Sequence, residues 1–180
     1  MWYVIWTTTG REEYMKDMVV QLIDHSLYER LEILYKVRNI KIKKKWEKKK
    51  EKLIPSYLFV ETDRINDFAM ALKKVPKFSL VLQMDGNFQP LEEKDLKLID
   101  SFASHADGIE VSKGFIVGDK INVTEGPLLG MEGFIKKIDR HKRIAIISLK
   151  LFERETDVSV GLEIVEKRPE EGADDEEKEP

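Results

Sequence analysis

The side chains best placed to do chemistry in this chain are cations. From Lys36 to Lys52 ten Lys/Arg stand against two Glu, a local charge of +8. A second cluster, KKIDRHKR at 136–143, puts Lys136, Lys137, Arg140, His141, Lys142 and Arg143 within eight positions. Clusters of ammonium and guanidinium groups bind phosphate backbones by releasing condensed counterions. The net charge of −3 does not exclude this. Screening limits what a polyanion senses to about 8–10 Å, so local charge decides. The opposite sign is gathered at the end, where 169–180 hold seven Asp/Glu and one Lys. That tail has no apolar content and reads as disordered.

Catalytic chemistry finds no comparable support. His25, His105 and His141 are scattered, and there is no cysteine to act as nucleophile, disulfide or thiolate ligand. No serine sits in a G-x-S-x-G elbow. Glu12-Glu13 and Glu92-Glu93 fall in the first turns of expected helices, where the macrodipole accounts for acids. The reading is a protein that is not an enzyme and needs no metal or cofactor. No apolar run reaches the length of a membrane span, and MWYVIWTTTG lacks the basic start and long apolar stretch of a signal peptide. A cytoplasmic monomer is expected.

The elements that must carry these cations follow from periodicity. WYVIWT (2–7) is aromatic and β-branched, a strand. Thr9 with Glu12 has capping-box spacing, and Met15, Met18, Val19, Leu22 and Ile23 recur helically, predicting a helix over 11–25. RLEILYKVRNIKIKK (30–44) alternates as one extended strand, and KKWEKKKEK (44–52) is too charged for a core and reads as a protruding hairpin or loop. LIPSYLFVET (53–62) is a dense strand. INDFAMALKKV (65–75) and PLEEKDLKLIDSFA (90–103) are helices, with FSLVLQMDG (78–86) a strand between them. This order predicts an α+β sandwich, an antiparallel sheet with helices on one face. SHADGIEVSKG (104–114) is small and polar, a linker. Beyond it FIVGDKINV, GFIKKI, RIAIISLKLF and LEIVEK read as short strands of a small all-β barrel. The expected division is 1–104, a linker at 105–115, a barrel at 116–167 and a tail at 168–180.

Four of the ten glycines fall at 118, 126, 130 and 133. Tight turns and sharply bent strands in a barrel of some fifty residues require positive φ and close backbone approach. Gly126-Pro127 reads as a turn, and Gly130 and Gly133 flank a hairpin-like connection. A phosphate cradle is excluded, because no Lys-Ser/Thr and no helix follow the last glycine.

These glycines, with Asp119, Ile121, Val123, Ile135, Ile138 and Asp139, resemble the KOW motif of SH3-like barrels. WYV at 2–4, a helix, a basic strand pair and IPSYLFV at 54–60 resemble the N-terminal domain of the NusG family of transcription elongation factors. The resemblance runs from residue 2 to about 167. It implies a NusG-type α/β sandwich followed by an SH3-like KOW β-barrel. Ser56 replaces the family's usual glycine and Leu58-Phe59 its usual Val-Leu, changes that resemble specialised paralogues such as RfaH and LoaP.

The resemblance also implies partners. An apolar patch that grips the clamp helices of RNA polymerase maps to Trp6, Ile54, Tyr57 and Phe59. Strand alternation alone leaves two readings open: Tyr57 and Phe59 outward as anchors, or inward under the helices with Leu58 and Val60 outward. The resemblance selects the first. Leu96 and Ile99 either complete the patch or pack in the core. The loop bearing Lys43, Lys44, Lys45, Lys48, Lys49 and Lys50 would lie beside upstream or nontemplate DNA, with Trp46 stacking on a base or covering lysine stems. Thr7, Thr8 and Thr9 stand where RfaH has basic residues. Lys136 to Arg143 would contact an RNA hairpin in a leader transcript, as in LoaP-type relatives. Leu151 and Phe152 match a pair that meets a ribosomal protein or the Rho terminator, although Glu153 replaces the glycine after it. The function implied is processive antitermination. The alternatives are a housekeeping NusG coupling polymerase to Rho or the ribosome, and a ribosome-associated KOW RNA-binding protein. RIAIISLKLF is rich in β-branched residues and predicts a constitutive barrel rather than a helical alternative.

Overall fold

The computed structural model describes residues 1–43, 45–75, 79–105, 107–151 and 154–168. The chain runs β1 (Trp2–Thr7), α1 (Glu12–Leu22), β2 (Arg30–Glu32), β3 (Tyr35–Ile42), β4 (Lys45–Lys52), β5 (Tyr57–Glu61), α2 (Ile65–Leu72), β6 (Ser79–Val81), β7 (Gln83–Met84), β8 (Asn87–Phe88) and α3 (Glu93–Ala103). It continues through β9 (Ser112–Val117), β10 (Lys120–Glu125), β11 (Ile135–Asp139), β12 (Ile144–Leu151) and β13 (Arg154–Arg168). The α+β class and the β-rich second half agree with the sequence reading. The arrangement of layers does not.

The first sheet is antiparallel, in the order β2-β5-β1-β6. One face carries Tyr3, Ile5, Leu58 and Val60 into a core with Met15 and Val19 of α1 and Phe68 and Leu72 of α2. The other carries Trp2, Val4 and Phe59 into a core with Leu98, Ile99 and Phe102 of α3. Helices therefore cover both faces, correcting the expected one-sided sandwich. Leu58, Phe59 and Val60 are all fully buried because β5 is a central strand with a layer on each side. An uninterrupted apolar run, rather than an alternation, is the sign of such a strand.

The expected strand 30–44 is split. Arg30–Glu32 joins the first sheet, whereas Tyr35–Ile42 pairs with Lys45–Lys52 in a separate two-stranded ribbon, register Tyr35↔Lys52 to Ile42↔Lys45. The lysine-rich segment is thus a regular strand. α1 starts without the expected capping box: its N-cap is Arg11, with no side-chain cap. The Thr9 hydroxyl is 2.5 Å from Ser56 Oγ instead, and Glu12 turns inward.

The second half forms a five-stranded sheet, order β10-β9-β13-β12-β11, with β13 parallel to β9. Its core holds Val123, Leu128, Ala145, Ile147, Leu149, Val158, Val160 and Leu162, the inward positions of alternating strands. Gly126 has φ +95°, and a Cβ there would stand 2.7 Å from the Ser112 Cα, so both conformation and space require glycine. Gly133 has neither requirement: it lies in a short 3₁₀ turn, Glu132–Phe134, in place of the expected hairpin.

The segment read as a linker is pinned. Ile109, fully buried, donates its N–H to the Tyr35 carbonyl (2.8 Å) and accepts from Val37 N–H (2.9 Å), extending β3 by one bridge. The apolar cluster around α3 is continuous with the barrel core, so the two halves pack together.

Candidate functional surfaces

The apolar patch is built on three adjacent strands. Trp6 on β1 pairs with Tyr57 on β5 and with Leu80 on β6. Trp6 is 40 % exposed and Leu80 51 %, with Tyr57 half-buried between layers. Phe59 and Ile54 lie beneath at 0 % and 5 %, which corrects their expected place as exposed anchors. Val4↔Phe59 and Trp6↔Tyr57 pair in register, so Phe59 shares a sheet face with the patch but is roofed by the α3 layer. Leu96 is half-buried and Ile99 fully buried, both against the same core. Leu80 was missed by sequence reading. Its signal was the alternation in FSLVLQ, which sets Leu80 and Val81 on opposite faces.

A polar cluster fixes where the ribbon leaves the sandwich. Ser56 sits at φ +74°, a conformation that favours glycine. Its N–H donates to Glu12 Oε1 at 2.7 Å. Glu12 is fully buried, and Lys52 Nζ lies 2.9 Å from Glu12 Oε2 and 2.9 Å from Glu13 Oε2. Burial pushes the Glu12 carboxyl up, but the Ser56 N–H and the Lys52 ammonium more than offset it and hold it below its usual value. Tyr35 donates to Glu13 Oε1 at 2.9 Å, and burial with that carboxylate pushes the phenol up to about 12. Lys52 and Tyr35 are the directly opposed pair at the base of the ribbon.

Beyond this base Val37 is the buried side chain of the ribbon among the described residues. Lys43, Lys45, Lys48, Lys49 and Lys50 are exposed, and Lys50 covers the Tyr35 ring at 4.4 Å. Lys44 and the side chain of Trp46 lie outside the described residues. Arg38 on β3 stands opposite Lys49 on β4. Like charges opposed across a strand pair destabilise it. Only Glu51, 3.5 Å from Arg38 Nη1, relieves this pair among the described residues.

In the barrel, Asp139 Oδ1 accepts from Lys142 N–H at 2.9 Å and pins the β11–β12 turn. That N–H, ahead of the neighbouring Lys142 charge, keeps the Asp139 carboxyl below its usual value. Arg140, His141, Lys142 and Arg143 are exposed on this turn. Lys136 is drawn off it, 3.2 Å from Asp157 Oδ1, and Lys137 is exposed beside a register shift in β11. Leu151 is buried at 4 %, and Phe152 lies outside the described residues.

Contacts between the halves are polar as well as apolar. Lys36 Nζ donates to the Ser159 carbonyl (3.0 Å) and hydroxyl (2.9 Å) of β13. Lys150 of β12 reaches Glu92 Oε1 at the start of α3, at 2.6 Å. Its backbone N–H serves the Asp95 carboxylate, which is 1 % exposed and has one oxygen unpartnered. Burial pushes the Asp95 carboxyl up. Among the described residues no group of three or more His, Cys, Asp or Glu could hold a metal ion.

An antiparallel sheet with helices on both faces, an exposed apolar patch, a basic two-stranded arm and a five-stranded second sheet together define the architecture of this chain. The family model described as transcription termination factor nusG matches residues 1–100, and the chain belongs to the NusG family. It is 25 % identical over 171 residues to the transcription termination/antitermination protein NusG of Rickettsia felis, covering 92 % of this chain and 89 % of that one. The Helicobacter pylori NusG is also 25 % identical over 171 residues, covering 92 % of this chain and 97 % of that one. A solved structure described as domain interaction in Thermotoga maritima NusG matches with a TM-score of 0.53 and 25 % identity, over 89 % of this chain and 92 % of that one.

Proposed function

We propose that this transcription factor binds RNA polymerase through the Trp6–Tyr57–Leu80 patch, promotes elongation through pauses and terminators, and uses its barrel to bind RNA. The observation that carries the reading is an exposed tryptophan flanked by a half-buried tyrosine and an exposed leucine on three hydrogen-bonded strands. Large side chains held on a rigid sheet lose little entropy on binding and make good anchors for a helix. Ile54 and Phe59 support the patch from below. The clamp helices of the polymerase largest subunit are the proposed partner, with the basic ribbon reaching upstream or nontemplate DNA.

The finer reading is a specialised antiterminator of the RfaH or LoaP kind. It is supported by Ser56, a serine held at positive φ by Thr9 and Glu12 where the family commonly has glycine. The housekeeping reading, with Rho or a ribosomal protein as second partner, draws on relatives named termination/antitermination proteins. Leu151 is buried as the last inward position of β12, so such a partner would meet neighbouring residues rather than Leu151 itself. Pull-down on isolated clamp helices tests the polymerase contact: Trp6→Ala with Tyr57→Ala should abolish capture, and retained capture would sink it. Run-off transcription across a Rho-dependent terminator separates the two finer readings. Readthrough that rises supports antitermination; Rho-stimulated release supports the housekeeping role.

A further inference from the structure

Arg38, from the first basic cluster, and the turn of the second cluster line one cleft together with the carboxylate-bearing Glu163; Lys49 stands beside it, paired across the ribbon with Arg38. The cleft encloses about 540 Å³ and is lined by Val37 and Arg38 of β3 on one side and by His141, Lys142, Arg143 and Ile144 on the other. Val111 and Gly161 form its floor, and a Cβ at 161 would stand only 2.7 Å from Val111 Cγ2. A second concavity of about 450 Å³, lined by Arg140, His141, Arg143, Glu163 and Ile164, adjoins it, so the turn projects between two hollows. The juxtaposition depends on docking of the halves, through Lys36 to Ser159 and through the Ile109 bridge to β3.

We propose that this interdomain cleft binds a single-stranded segment of RNA, its phosphates spanning Arg38 and Lys49 on the ribbon and Arg140 and Arg143 on the barrel turn. Three observations carry it. Arg38 and Lys49 are opposed like charges, a costly arrangement that a bridging phosphate relieves. The lining is apolar at Val37, Val111 and Ile144 and cationic at Arg38, Lys142 and Arg143, with Glu163 its one carboxylate among the described residues, a set that offers faces to bases and ribose and cations to phosphate. The volume falls within the range of small-ligand pockets, about 300–1,000 Å³, which admits nucleotides of an open loop and not a duplex. Unpaired loops are also where RNA exposes bases and 2′-hydroxyls to a protein. Because both walls contribute, bound RNA would favour the docked form. The proposal rests on the reading of the barrel as an RNA binder and adds the ribbon as its second half.

Fluorescence anisotropy of the full chain with a labelled RNA hairpin bearing an open loop, between about 50 and 200 mM salt, tests it. Arg38→Ala with Lys49→Ala, and separately Arg140→Ala with Arg143→Ala, should each flatten the salt slope by about 1.4, at roughly 0.7 per lost cation on a single strand. Glu163→Gln should tighten binding several-fold, because Glu163 holds Arg143 at 3.1 Å and competes with phosphate. Tighter binding cannot arise from misfolding. If only the turn pair matters, the cleft is overturned while the barrel keeps its RNA role. If neither pair matters, both ideas fall. Equal or tighter binding of blunt duplex DNA, or of RNA lacking the loop, would overturn the single-strand assignment.

Discussion

The sandwich sheet and the β3–β4 ribbon are both antiparallel, yet they are stabilised in opposite ways. β5 is buried on both faces and contributes through dispersion and dehydration. Among its described side chains β4 carries Lys45, Lys48, Lys49 and Lys50 to solvent. Two-stranded ribbons are marginal alone. This one persists because its base is fastened by Lys52, Glu12, Glu13 and Tyr35, and because Ile109 bridges to its side. The sheet can stand without a ligand. The ribbon is a charged arm held out from that sheet, and its repulsions are most reduced when a polyanion is present.

Variants that break the comparison rank by the size of the expected change in stability. Phe59→Ala should cost about 3–5 kcal/mol in urea unfolding, the range for a buried aromatic. A loss under about 1 kcal/mol would show that the face is open. Glu12→Gln comes next, at about 1–3 kcal/mol, since it leaves Lys52 without its buried partner. Its pH dependence has a definite sign. Glu12 is held below its ordinary value, so its contribution is present above about pH 4.3 and is lost as pH falls through the folded value. The difference between wild type and Glu12→Gln should therefore shrink in melts taken from pH 7 toward pH 3.

Asp95→Asn should act in the other direction. The Asp95 carboxyl is raised, so its stabilising contribution is complete below about pH 3.9 and is lost as pH rises through the folded value. The amide keeps the acceptor for Lys150 N–H and removes the buried charge. Stability should rise by about 0.5–1 kcal/mol at pH 7, with the gain fading toward pH 4. Destabilisation at pH 7 would mean that the charge, and its attraction to Lys150, outweighs burial. Smallest of all should be Lys45→Ala, within about 0.5 kcal/mol in the same melts. A larger loss would mean that the arm is tied down more firmly than its exposure indicates.

Periodicity revealed the helices and located the barrel strands because each has a single buried face, but 115–123, read as one strand, turns at Gly118 into β9 and β10, and 162–167 is the end of the longer β13. β5 was misread for a physical reason. Leu58, Phe59 and Val60 form a run, and a run carries no information about which side faces a partner. The ribbon was half legible: its charge marked it as protruding, but regular pairing depends on cross-strand partners that no local pattern displays. The docking of the two halves left no local trace either. Asp95 and Lys150 are 55 positions apart, and each alone reads as an ordinary surface charge. Glu12 was assigned to a helix cap because its spacing from Thr9 fits one, whereas Ser56 competes for both side chains.

Ile109 has a mechanical consequence. While its two main-chain bonds to β3 hold, the strap between Ala103 and Ser112 is clipped near its middle. Unclipping it would free about eight residues, enough for the barrel to swing through roughly 28 Å at ~3.5 Å per residue. Ile109 thus acts as a catch on the strap, alongside the apolar core and the Lys36–Ser159 and Lys150–Glu92 contacts that hold the second half in place.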